Sequence, residues 1–184
     1  MQTEIIISGF GGQGVLFAGQ VLAYAAMDEG LHVTWFPSYG PEMRGGTANC
    51  TIIVADEEIG SPTVLNPQAV IALNLPSMDK YESLLAEGGL LIANRSLINR
   101  EVERKDLRVI EMAANEIADE VGDKRLVNMV MMGALMQATD LMPLAAIKKA
   151  LEEHLPAHRR DLLPANFEAL ERGAKVAEDQ LVTA

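Results

Sequence analysis

The sequence predicts an α/β protein: a Rossmann-like, three-layer fold built on a mostly parallel sheet. Three observations carry that expectation. The apolar run Ile5-Ile6-Ile7 leads directly into Gly9-Phe10-Gly11-Gly12-Gln13-Gly14, and Val15–Met27 behind it has helical character. This is the strand, glycine turn and helix with which such folds begin. Strand and helix signals then alternate through the first two thirds of the chain, the pattern of right-handed crossovers between parallel strands. Ala69–Leu73 is a continuous apolar run, as in a strand covered on both faces.

Taken in order, Glu4–Ser8 reads as strand, Val15–Met27 as helix and His32–Phe36 as strand. Thr47–Ala55 is a longer strand, rich in the β-branched residues Thr51, Ile52, Ile53 and Val54. Ala69–Leu73 follows, then a short helix over Met78–Ala86 with Ser77 as its N-cap. Gly88-Gly89 releases a strand at Leu90–Ala93. Arg108–Ile110 is the next strand and Ala113–Glu120 the next helix. Val127–Thr139 is apolar nearly all round, with Met129, Met131, Met132 and Met136. A helix with that surface is buried, in the core or against a partner. Leu144–His154 and Ala165–Leu181 read as amphipathic surface helices, with Pro143 at a first helical position and Pro164 just ahead of the last helix. No internal repeat, low-complexity segment or linker interrupts the chain, and a single domain over 1–184 is expected.

The chain has 184 residues, 49% apolar and 22% charged, with a formal net charge of −11. That length suits one sizeable core. The charge argues against a nucleic-acid surface, which needs clustered Lys and Arg. The only cysteine is Cys50, inside a predicted strand, and reads as a small buried hydrophobe. One cysteine can neither close an internal disulfide nor ligate an iron–sulfur cluster by itself. Met1-Gln2-Thr3-Glu4 lacks the basic start of a signal peptide. The longest apolar stretch, Leu126–Ala138, is interrupted by Asn128 and Gln137 and falls short of the ~20 residues of a membrane span. A cytoplasmic location is expected, with neither membrane nor nucleic acid as partner.

Glycines at a strand-to-helix turn let backbone N–H groups approach an anion, with the positive end of the helix dipole behind them. The common nucleotides nevertheless lack their second contact. A dinucleotide site wants an acid at the end of the second strand. Here that strand ends in Pro37-Ser38-Tyr39, while Asp28 and Glu29 come too early. A P-loop needs Lys and Ser or Thr where Val15 and Leu16 stand. The glycines also have a plain structural reading, a tight turn with close helix–sheet packing, and both readings stand at the level of sequence.

Ser38-Tyr39-Gly40-Pro41-Glu42-Met43-Arg44-Gly45-Gly46 is the second informative segment. It follows the second strand. Taking the first two strands as neighbours, it lies at the carboxyl edge of the sheet beside the glycine turn, where open α/β sheets bind ligands. A loop this long and polar exceeds a minimal connection. Arg44 can grip a phosphate or carboxylate through two N–H groups, and Glu42 can orient it or anchor a partner chain. The bland alternative is a Glu42–Arg44 surface pair of little energetic value.

Other chemistry is missing. His154 and His158 are four apart, but Pro156 breaks the helical face that a two-histidine metal site would use. His32 stands alone. No H-E-x-x-H, C-x-x-C or G-x-S-x-G string occurs. An anion-binding edge without a catalytic engine suits a subunit whose chemistry is completed elsewhere.

The two segments together, Gly9–Gly14 and Ser38 through Cys50, resemble the gamma subunit of the 2-oxoacid:ferredoxin oxidoreductases. Ile59-Gly60-Ser61-Pro62 and Asn128 are also similar to that family, and the resemblance covers essentially the whole chain. The Gly-Pro-Glu-Met-Arg-Gly-Gly string is most similar to the 2-oxoglutarate branch. The resemblance implies a multisubunit enzyme that converts a 2-oxoacid, coenzyme A and oxidised ferredoxin into acyl-CoA, carbon dioxide and reduced ferredoxin. In such a complex thiamine diphosphate forms the carbanion and iron–sulfur clusters carry electrons. This chain has Gly122-Asp123-Lys124 where a thiamine-diphosphate motif would begin Gly-Asp-Gly.

Those cofactors are therefore expected on alpha, beta and ferredoxin-like delta subunits, with none bound by this chain alone and no activity from it in isolation. Assembly and the coenzyme A side of the reaction are what the resemblance assigns to the gamma chain. The ligand-binding residues would be Gly9, Gly11, Gly12, Gln13 and Gly14 of the turn, with Ser38, Tyr39, Gly40, Pro41, Glu42, Arg44, Gly45 and Gly46 of the loop. Gly11, Gly12 and Gln13 would donate backbone hydrogen bonds and Arg44 a charge. No catalytic or metal-ligating residue is assigned. A stand-alone nucleotide-binding domain and a purely structural subunit are the competing classes.

Overall fold

The computed structural model describes residues 1–39 and 47–183. Among these residues six strands, β1 (Gln2–Phe10), β2 (His32–Tyr39), β3 (Thr47–Ala55), β4 (Ala69–Ala72), β5 (Leu90–Asn94) and β6 (Arg108–Met112), form one sheet in the order β2-β3-β1-β4-β5-β6. Helices α1 (Val15–Asp28), α2 (Leu75–Tyr81), α3 (Ala114–Val121), α4 (Val127–Ala138), α5 (Leu144–His154) and α6 (Leu163–Thr183) cover it, with 3-10 turns at Glu82–Leu84, Lys124–Leu126 and Ala157–Leu162. The expected α/β fold with a mostly parallel sheet is the one observed.

One strand departs from the expected order. β1, β4, β5 and β6 pair in parallel, but β3 inserts between β1 and β2 and pairs antiparallel to both. The side chains explain why. Ile52, Ile53, Val54 and Ala55 of β3 are all buried, on both faces of the sheet, so β3 belongs in the interior. β2 carries Pro37 and an exposed Phe36 and takes the edge, where a missing backbone N–H is tolerated. The opposite edge is covered differently. The Gln180 side chain of α6 imitates a strand, donating to Glu111 O at 2.6 Å and accepting from Glu111 N at 3.1 Å.

Two apolar layers flank the sheet. On one face Ile5, Ile7, Cys50, Ile52, Ile71, Ile92 and Ile110 pack under α1, α3, α4, α5 and α6. On the other Ile6, Val70, Ala72, Leu91 and Ala93 meet Met78 and Tyr81 of α2 and the Ile98–Val102 segment. Glu82 ties that segment down, accepting from Glu103 N at 2.6 Å, Arg104 N at 3.0 Å and Arg100 Nη1 at 2.7 Å.

The four α4 methionines are buried in the core. α4 crosses α6 at two glycines: a Cβ on Gly173 would overlap Val130 O, and one on Gly133 would overlap Leu170 O. Several boundaries differ from the sequence reading, β1 and β2 running longer than read, to Phe10 and Tyr39. α2 begins at Leu75 and is capped by Asn74, not Ser77, because the Asn74 side-chain Oδ1 accepts from Ser77 N at 3.0 Å. It tightens into a 3-10 turn at Glu82. Pro164 sits inside the first turn of α6 rather than ahead of it, where a missing N–H costs nothing. Among the described residues no helix is long and apolar enough to cross a membrane.

Candidate functional site

β1 ends at Phe10 on the carboxyl edge of the parallel strands, and the turn to α1 occupies that edge. Gly12 (φ 98°) and Gly14 (φ 72°) adopt left-handed conformations that other residues enter only with strain. Gly14 is the N-cap of α1, and no side chain of the described residues caps the helix. The N–H groups of Gly11, Gly12 and Gly14 have no partner among the described residues. Gln13 behaves otherwise than expected. Its backbone N–H closes the turn on Phe10 O at 3.1 Å and is not available to a ligand.

The Gln13 side chain folds back over the end of β1, its Oε1 accepting from Phe10 N at 2.6 Å and from Asn74 Nδ2 at 3.4 Å. This fold-back requires a glycine at position 9: a Cβ there would stand 2.6 Å from Gln13 Oε1 and 3.0 Å from Leu73 Cβ. Behind it lies a buried polar line. Ser8 Oγ donates to Ser77 Oγ at 2.9 Å, and Ser77 Oγ donates to Asn74 Oδ1 at 2.7 Å. Farther along the edge, Asn94 Nδ2 donates to Leu73 O at 3.1 Å and to Asn115 Oδ1 at 2.9 Å.

These residues border the crevice between β1 and β4. From it α1 leaves toward one face of the sheet and α2 toward the other. Such a divergence is where open α/β sheets bind ligands. Sequence reasoning missed Ser8, Asn74, Ser77 and Asn94. The signal for Asn74 was present: an Asn directly after an apolar strand and two residues before Pro76 is a helix-start pattern.

On its α4 side the turn opens onto a cavity of about 230 Å³, lined by Gly12, Gly14, Phe17, Arg125, Asn128 and Arg159 among others. Asn128 is buried and donates from Nδ2 to Gly14 O at 3.0 Å, while its Oδ1 accepts from Met129 N at 2.9 Å. The amide thus fastens the glycine turn to the methionine helix. Arg125 is gripped by Asp123, its Nη2 donating to Oδ2 at 2.7 Å and its Nε to Oδ1 at 2.9 Å. That guanidinium holds the Asp123 carboxyl below its ordinary value. Arg159 is exposed: its backbone N–H donates to Pro156 O at 2.8 Å, while its guanidinium has no partner among the described residues. The sequence reading overlooked both arginines, which lie on 3-10 turns between predicted helices.

Of the predicted loop, Ser38 and Tyr39 end β2, and register places Tyr39 opposite Ala48, which itself lies opposite Gly9. They are therefore two strands from the turn, with β3 between. Thr47, which follows the segment in the chain, pairs with Phe10. Gly40, Pro41, Glu42, Arg44, Gly45 and Gly46 lie outside the described residues.

Asp28, Glu153 and His154 bring ligand-type atoms within 4.8 Å of one another. His154 already pairs with Asp28 at 2.9 Å and stacks on Tyr24 at 4.2 Å, so docking of α1 on α5 accounts for this group. Cys50 is buried, and burial pushes its thiol up to about 12, so it is inert at neutral pH.

Residues 4–176 match the family described as pyruvate ferredoxin/flavodoxin oxidoreductase. The ketoisovalerate oxidoreductase subunit VorA of Methanothermobacter thermautotrophicus is 36% identical over 98% of this chain and 37% of that protein. The chain thus spans little more than a third of that relative. The 2-oxoglutarate synthase subunit KorC of Methanothermobacter marburgensis is 37% identical over 85% of this chain and 88% of that protein. Among solved structures, the keto/oxoacid ferredoxin oxidoreductase gamma subunit of Geobacter sulfurreducens superposes with a TM-score of 0.85 at 28% identity, over 97% of this chain and 98% of that one.

Proposed function

The chain belongs to the pyruvate ferredoxin/flavodoxin oxidoreductase family, and from that premise we propose that it works as the gamma subunit of a multisubunit 2-oxoacid:ferredoxin oxidoreductase. The complex decarboxylates a 2-oxoacid, passes the acyl group to coenzyme A and the electrons to ferredoxin. This chain serves assembly and the coenzyme A side. One observation carries the second role: the glycine turn, with N–H groups of Gly11, Gly12 and Gly14 unpartnered among the described residues, stands beside a cavity reached by Arg125 and Arg159. Donors and guanidinium groups of this kind suit phosphate, and the protein as a whole carries −11. Arg44 is proposed to add a further charge to the same edge.

The residues present do not fit thiamine diphosphate or an iron–sulfur cluster. Cys50 is the only cysteine of the sequence and is sealed in the core. Asp123 of Gly122-Asp123-Lys124 is committed to Arg125 and caps the 3-10 turn. Both cofactors are assigned to alpha, beta and ferredoxin-like delta subunits. The substrate placed first is 2-oxoglutarate. The wording of the 38–46 segment supports it, as does the match to KorC along nearly that protein's whole length. Ketoisovalerate, named for VorA, is the runner-up.

Native co-purification, with assay of the complex on 2-oxoglutarate, pyruvate and ketoisovalerate, tests the assignment. Fastest coenzyme A-dependent ferredoxin reduction from 2-oxoglutarate is expected, and a chain that purifies without companions would refute the subunit role. Arg159→Ala and Arg44→Ala should each raise the coenzyme A KM in an intact complex. Loss of one charged contact costs about 1.5–3 kcal/mol, roughly ten- to a hundredfold. Complexes that fall apart would make the edge an interface, and wild-type kinetics in both would show that it is neither.

A further inference from the structure

The hydrogen bonds behind the glycine turn all run one way. The N-terminal turn of α2 sets the first of them: the Ser77 N–H must be accepted, so Asn74 presents Oδ1 to it at 3.0 Å. The same oxygen accepts the Ser77 hydroxyl at 2.7 Å, and that hydroxyl in turn accepts from Ser8 at 2.9 Å. With Oδ1 so fixed, the Asn74 nitrogen faces Gln13, and it can only donate. Phe10 N–H, 2.6 Å from the Gln13 amide, can also only donate. Two donors therefore hold the Gln13 oxygen, and the amide cannot turn over without setting donor against donor.

The consequence is the placement of Gln13 Nε2. It projects from a rigid support, since Ser8, Asn74 and Ser77 are 2%, 1% and 2% exposed. It has no partner among the described residues. A chain of donors polarised toward its last member strengthens that member. The turn that carries Gln13 also holds the N–H groups of Gly11, Gly12 and Gly14, unpartnered among the described residues. Such a surrounding suits an acceptor-only group.

We propose that the Gln13 side-chain amide binds and orients a phosphate oxygen of the ligand at this edge, with Asn74 and Ser77 as positioning residues. The inference rests on the coenzyme A reading above. It assigns to the side chain of Gln13 the role that its backbone N–H cannot fill.

The test uses the assembled complex carrying Gln13→Glu, which keeps the shape and the oxygen that Phe10 and Asn74 address but replaces the donor by a second oxygen. The coenzyme A KM should rise about tenfold, with kcat, assembly and melting temperature held. Pantetheine, which has no phosphate, should keep its KM. Asn74→Asp sets an oxygen against the Gln13 oxygen and should raise the coenzyme A KM without lowering kcat. An unchanged coenzyme A KM in Gln13→Glu, alongside a raised one in Arg159→Ala, overturns this inference and leaves the coenzyme A reading standing. Unchanged values in both variants remove both. An equal rise for pantetheine overturns the phosphate assignment, and dissociation of the Gln13→Glu complex overturns it in favour of a subunit contact.

Discussion

The junction of Gly14 and Asn128 allows a quantitative test of how the glycine turn is held. Asn128→Ala removes the bond from Nδ2 to Gly14 O and the acceptor for Met129 N, and Met129 is fully buried. The Gly14 carbonyl keeps a partner, because Ala18 N donates to it at 2.9 Å. The cost is therefore that of one buried N–H left unmet, about 2 kcal/mol. For a chain of this size that lowers the melting temperature by roughly 4–8 °C. Gly14→Ala pays about 1 kcal/mol for a left-handed alanine. Its Cβ would also overlap Asn128 Nδ2 and drive the amide out of its bonds, for a total of about 3 kcal/mol. The double variant has no amide left to displace, so it should also lose about 3 kcal/mol, not the sum of about 5. Equilibrium urea unfolding of the four chains gives the coupling, about 2 kcal/mol. Additivity within about 0.5 kcal/mol would refute the claim that Asn128 and Gly14 hold each other.

Glu82 supplies a pH dependence. Burial works against its charge, but the Arg104 N–H, the Arg100 guanidinium and the Glu103 N–H outweigh that and hold its carboxyl below the ordinary value of 4.5. Its stabilisation is therefore complete above that value and is lost as the pH falls through the lower, folded-state value. Glu82→Gln should be less stable at pH 7 by about 2 kcal/mol, with the difference closing in acid. A gap that is constant with pH would show that the charge contributes nothing. At the α4–α6 crossing, Gly173→Ala places a methyl group on the Val130 carbonyl. It should cost about 3 kcal/mol or more, read as a lowered melting temperature, and wild-type melting would mean that the helices do not meet there.

Much of the site was legible because its residues act through the backbone. Gly12 and Gly14 are needed for their φ values, and a strand-to-helix turn rich in glycine announces that need locally. Asn128 was legible as an amide in an otherwise apolar helix, which must find a partner when buried. Gln13 was only half legible. Its place in the motif drew attention, but whether its backbone or its side chain faces a ligand depends on Asn74, sixty-one positions away. Arg159 was not legible, because its exposed 3-10 turn has no periodicity and reaches the cavity only through the packing of α5 and α6 around it.

By itself the sequence determined the alternation of strands and helices, the burial of α4 and the glycine turn at the head of α1. Each of these follows from local pattern: apolar periodicity, β-branched runs and backbone freedom at glycine. The tertiary structure alone decided that β3 lies between β1 and β2. Pairing is a choice among strands, settled by which of them is apolar on both faces. It alone joined Ser8, Ser77, Asn74 and Gln13 into one directed line, because hydrogen bonds between distant segments exist only once the strands that carry them have been placed.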